Sequence, residues 1–172
     1  MRIVDRKQSV EWLTAHGVSV SEDRPSFSRW RYYKAIDARI PVDSGRKSAL
    51  SRALVSYFDT DRESLLWIHE YGIWPSAEDR NLFAGFRRSL GEHRPLHEAP
   101  GHLFSRSDLA DVTSLVAMVF YFIWGAILYS PEKALAIHID HDEFIAVFVK
   151  NKQDAKMFAE KLKSYLEKPE RR

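Results

Sequence analysis

Apolar positions along this chain keep two rhythms, one of about 3.6 residues and one of two, and the switches between them delimit the elements. Residues 7–16 predict a short amphipathic helix carrying Val10, Trp12 and Leu13, which Gly17 stops. From Phe27 to Ile40 the period drops to two. Trp30, Tyr32, Ile36, Ala38 and Ile40 share one face of a long strand, and Arg29, Arg31, Tyr33, Asp37 and Arg39 share the other. Ser44 opens a helix to about Phe58 with Leu50, Ala53, Leu54, Tyr57 and Phe58 inward. The run Leu65–Ile68 is apolar on both faces, as an interior strand is.

Ser76-Ala77-Glu78-Asp79 resembles a capping box, with Asp in place of the usual Glu. Its helix is expected to turn Leu82, Phe83, Phe86 and Leu90 inward and Arg80, Arg87 and Arg88 outward, and Gly91 ends it. A loop broken by Pro95, Pro100 and Gly101 follows, and a helix from Asp108 to about Phe120 is capped near Ser107. Three strands come next in quick succession, at about 122–129, 134–140 and 143–149, and their short connections predict an antiparallel meander. Asn151 caps a last helix that buries Ala155, Phe158, Leu162, Tyr165 and Leu166, and the tail from about residue 167 is expected to fray. The order α-β-α-β-α-α-β-β-β-α describes one α+β domain over residues 1–172. Its sheet is mostly antiparallel, has about five strands and is covered by helices.

Composition narrows the chemistry. The 172 residues include no cysteine, which excludes disulfides, thiolate metal sites and a cysteine nucleophile. With no apolar leader at the N-terminus, the expected location is cytoplasmic. Residues 112–129 are eighteen uncharged positions, long enough to raise a membrane span. Their aromatic, β-branched second half with Gly125 inside, and the missing cationic flank, read better as a buried helix followed by a buried strand. The net charge of +2 divides into +5 over residues 1–52, −7 over 53–143 and +4 over 144–172. Faces of opposite sign would steer a charged partner.

Five of the seven histidines fall between Glu92 and Glu143. His93, His97 and His102, in a proline-stiffened loop with Glu92 and Glu98, have the donor types of a divalent metal site but not the helical His-Glu-x-x-His spacing. His138, on the strand entering the predicted hairpin tip, shares a face with Asp140, a pairing in which the carboxylate could orient the imidazole as a general base. His141 at the tip completes this second set. The stretch Arg29–Lys34 interleaves cations with aromatics as single-strand nucleic-acid surfaces do. Trp30 and Tyr32 fall on the buried face, however, and the acidic middle of the chain would repel a polyanion. Glycine loops for nucleotides and a GxSxG elbow are absent from the sequence, so no cofactor is expected.

The segments Phe122–Leu128 and Ile137–Ile145 resemble the closing β-meander of small uncharacterised bacterial proteins, some of them similar to immunity proteins that neutralise a toxin by binding it. The resemblance covers about a third of the chain. It implies a protein–protein interface and carries no catalytic residue. Together with the acidic loop tips it makes a non-enzymatic protein-binding domain the leading expectation. Glu92, Glu98, Asp140, Asp142 and Glu143 would be contacts, and Tyr71 and Trp74 anchors. The alternatives are a histidine-dependent, metal-assisted hydrolase or nuclease, and a subunit of a larger assembly, including a homo-oligomer with the 112–129 block at an interface.

Overall fold

The computed structural model describes residues 1–21, 24–26, 33–71 and 77–166. In chain order the elements are β1 (Arg2–Val4), α1 (Arg6–Ala15), β2 (Ser19–Ser21), β3 (Arg24–Ser26), β4 (Tyr33–Arg39), α2 (Ser44–Val55), β5 (Ser64–Glu70), α3 (Ala77–Ser89), β6 (Gly101–Phe104), α4 (Leu109–Phe122), β7 (Gly125–Ser130), β8 (Leu135–Ile139), β9 (Phe144–Val149) and α5 (Lys152–Leu162). Seven strands form one antiparallel sheet in the order β1-β6-β5-β7-β8-β9-β4, and β2 and β3 make a separate hairpin. The chain is therefore α+β with the C-terminal meander β7-β8-β9.

The two sheet strands beyond the expected five are β1 and β6. Both are short, and β6 lies inside the stretch predicted to be a loop. Its four residues are all buried because β1 and β5 flank it on both sides. That pairing is non-local, and Pro100 and Gly101 mask it locally. Of the long strand predicted over residues 27–40, Tyr33–Arg39 is observed as β4; residues 27–32, with Arg29–Tyr32, lie outside the described residues. Within β4 the predicted split holds, since Ile36 is buried while Asp37 and Arg39 are exposed.

Helix boundaries follow local chemistry. Asp5 caps α1 through a capping box with Gln8. Asp43, one residue before the predicted start, caps α2 by accepting from the Arg46 amide. Asn151 caps α5 by accepting from the Asp154 amide. Helix α4 stops at Ile123, which adopts the left-handed conformation (φ 55°, ψ 49°), so the strand predicted from 122 starts at Gly125.

Each face of the sheet has its own core. On one face Leu66, Ile68, Ala126, Leu128, Ile137, Ile139 and Val147 pack with Leu54, Phe83, Val116, Phe120 and Phe158 from α2, α3, α4 and α5. On the other, Leu65, Trp67, Leu103, Ile127 and Tyr129 meet Val4, Val18 and Leu13 of α1. Helix α3 departs from expectation at two positions. Leu82 is 59% exposed, whereas Arg87 is only 1% exposed. Arg87 sits one turn after the buried Phe83 and so shares its inward face. Two backbone carbonyls, of Ala99 and Arg94, receive its guanidinium at 2.6 and 3.3 Å.

Candidate functional site

The site is assembled at the end of β5 and the turn between β8 and β9. Strand β5 pairs Ile68 with Ala126 but Glu70 with Gly125, so His69 is an extra residue in a β-bulge. Gly125 accommodates Glu70: a Cβ built there would lie 2.8 Å from the Glu70 Cβ and 2.6 Å from its Oε2. Strand β8 contributes His138, whose ring stacks on that of His69 with centroids 5.8 Å apart and planes inclined by 13°.

The β8–β9 turn runs from Asp140 to Glu143. Asp140 donates its amide to the Phe144 carbonyl at 2.8 Å, and its side chain accepts from the Asp142 amide at 2.9 Å. This local bond is why aspartate favours such a turn. Glu143 takes a positive φ of 63°, and its carbonyl accepts from the Ile40 amide at 2.7 Å, tying the tip to the end of β4. Its carboxylate lies 3.5 Å from the ammonium of the buried Lys47, which also donates to the Phe120 carbonyl.

His141 stands at the centre. Its Nδ1 is 2.9 Å from Glu70 Oε2 and 3.3 Å from Asp140 Oδ1, and its Nε2 is 3.7 Å from Asp142 Oδ1. The hydrogen bond that the His141 ring donates to Glu70 raises its pKa above the ordinary value; burial opposes this more weakly, and the charges of Asp140, Glu70 and Asp142 add to the rise. Glu70 also approaches His69, whose Nδ1 is 3.9 Å from Oε1. The arrangement favours the imidazolium form of His141 over the neutral one. When deprotonated, His141 joins Glu70 and Asp140 as a donor set whose three ligand atoms lie within 4.8 Å of one another.

The remaining sequence candidates lie elsewhere. Glu92 is buried and held by Arg94, whose Nη2, Nε and backbone amide donate to it at 2.6, 3.0 and 2.7 Å. Those bonds drop its pKa to about 2. Glu98, His93 and His97 are exposed, and His97 Nε2 is 3.7 Å from Glu98 Oε1. His102 is fully buried on β6 beneath Phe83, and its ring nitrogens approach the Leu66 and Pro100 backbone without a well-formed hydrogen bond. Burial and then the Arg87 charge push its pKa down to about 3. His93, His97 and His102 therefore form no ligand set; among the described residues Glu70, Asp140 and His141 do. Tyr71 is half-buried, edge-on to Trp124 at 6.2 Å. Trp74 lies outside the described residues.

His69 and Glu70 are the participants that sequence reading missed. Gly125, at the start of the apolar strand β7, was the available signal for a close approach. No helix among the described residues is long and apolar enough to cross a membrane. Comparison with protein-family models, curated proteins and solved structures finds no match to this chain.

Proposed function

We propose that this chain is a non-enzymatic protein-binding domain of the immunity or antitoxin kind, and that the acidic end of the sheet is its contact surface. The observation that supports this reading is the convergence of Asp140, Asp142 and Glu70 around His141, with Glu143 on the same turn held against Lys47. Asp142 is 75% exposed at its side chain, and Lys47 lies against Glu143. A negative tip fixed by main-chain bonds is pre-organised for a basic partner, so little ordering entropy is lost on binding. The test is affinity capture from native-host lysate on the immobilised protein, with a nuclease-treated parallel. The reading expects one stoichiometric basic protein that survives nuclease and elutes with raised salt. An empty eluate, or material lost with nuclease, would count against it.

The donor spacing of Glu70, Asp140 and His141 favours a second reading, metal-assisted chemistry with His141 as ligand and His138 nearby. Calorimetric titration with Zn²⁺ or Mn²⁺ tests it. Saturable uptake that Glu70→Gln abolishes supports this reading, and absence of uptake removes it.

A further inference from the structure

A concavity lies between α3, the loop after it and the end of β5. It encloses about 330 Å³. Phe83 and Trp124, both buried, form its floor, with rings 5.1 Å apart in an edge-on arrangement. Tyr71 and Leu96 make its half-buried walls, and Arg80 and His97 stand at its exposed rim.

Arg87 lines the same pocket from α3, and its surroundings are unusual for a buried cation. Its two hydrogen bonds run to neutral carbonyls. Its Nε is buried with no partner, and no carboxylate lies within ion-pairing distance of the guanidinium among the described residues. Glu92, the nearby acid, is already engaged by Arg94. Buried charges are ordinarily paired, because an uncompensated one leaves its desolvation cost unmet. A cation without a counter-ion beside an open pocket, with Arg80 adding a second positive charge, makes the site attractive to an anion.

We propose that this pocket binds a small aromatic monocarboxylate, with the ring against Phe83, Trp124 and Leu96 and the carboxylate toward Arg80 and Arg87. The volume sits at the small end of ligand pockets, which suits a one- or two-ring molecule. The aromatic floor sets the ring preference. With Glu98 on the same loop and Glu92 behind Arg87, the excess positive charge suits a monoanion better than a phosphate dianion.

The experiment titrates the intact protein with phenylacetate, phenylacetamide and phenethylamine, by calorimetry and by ligand-observed NMR. Phenylacetate is expected to saturate at about 1 mM or below, corresponding to about 4 kcal/mol, with the amide at least about tenfold weaker and the amine not binding. Arg80→Gln, at the exposed rim, is expected to weaken the carboxylate several-fold and leave the amide unchanged. Ala84→Trp, which fills the pocket from α3, is expected to abolish both. A circular-dichroism melt confirms that each variant is folded. No saturation by phenylacetate, equal affinity for the three probes, or undiminished binding by folded Ala84→Trp protein would each overturn the proposal.

Discussion

Gly125→Ala probes the tightest contact in the acidic site. A methyl group at this position meets the Glu70 Cβ at 2.8 Å and Oε2 at 2.6 Å, whereas carbon atoms pack at about 3.5–4.0 Å. The carboxylate end can swing away, but Cβ is fixed to β5, which pairs with Gly125 itself. Relief therefore separates the strands or undoes the bulge at His69. Overpacking of this kind costs about 1–3 kcal/mol. Displacing Glu70 also weakens its 2.9 Å bond to His141, a charge-assisted interaction that solvent screens in part because both groups are part-exposed. The expected loss is about 2–3 kcal/mol, or roughly 4–12 °C in Tm for a chain of this size.

His141 supplies a second readout. Its folded pKa is raised, so its stabilising contribution is complete below the unfolded value of about 6.5 and is lost as pH rises through the folded pKa. In Gly125→Ala that pKa should move back toward 6.5 and the pH dependence should shrink. Thermal melts from pH 5 to 9 with NMR titration of the His141 ring measure both. Glu70→Gly in the same background removes the obstructing atoms and should recover part of the Tm. A Gly125→Ala protein with unchanged Tm and unchanged His141 titration would refute the geometry.

His102 gives the opposite pH dependence. Its folded pKa of about 3 lies below the unfolded value, so its contribution is present above about pH 6.5 and falls by up to about 1.4 kcal/mol per unit as pH drops toward 3. His102→Phe should flatten urea-derived stability over that range relative to the parent, and an unchanged slope would contradict the assignment. Ile123 holds a left-handed conformation that costs a β-branched residue about 1–2 kcal/mol. Ile123→Gly should raise stability by about 0.5–1 kcal/mol in urea denaturation, once the loss of its half-buried side chain is set against the relieved strain.

What the sequence made legible was local. Hydrophobic runs with short connections placed the β7-β8-β9 meander, Asn151 placed the last cap, and alternation split Ile36 from Asp37 and Arg39. The features it concealed depend on partners distant in the chain. Strand β6 exists because β1 and β5 flank four residues next to a proline. Arg87 faces inward because carbonyls at 94 and 99 receive it, a circumstance that an amphipathic pattern does not encode. The site follows the same rule. Asp140, His141 and Asp142 were visible as a polar turn, but Glu70 reaches them only through a bulge whose register is set against β7.

The central claim, that the acidic end of the sheet is a binding surface, is tested most directly by charge reversal at its exposed apex. Asp142→Lys changes a side chain that is 75% exposed, so the fold should be retained. Glu160→Lys, exposed on α5 and remote from the tip in sequence, serves as the matched control. The prediction is that the partner captured by the parent protein is still retained by Glu160→Lys and is lost, or bound at least about tenfold more weakly, by Asp142→Lys. Equal retention by the two variants would contradict the account.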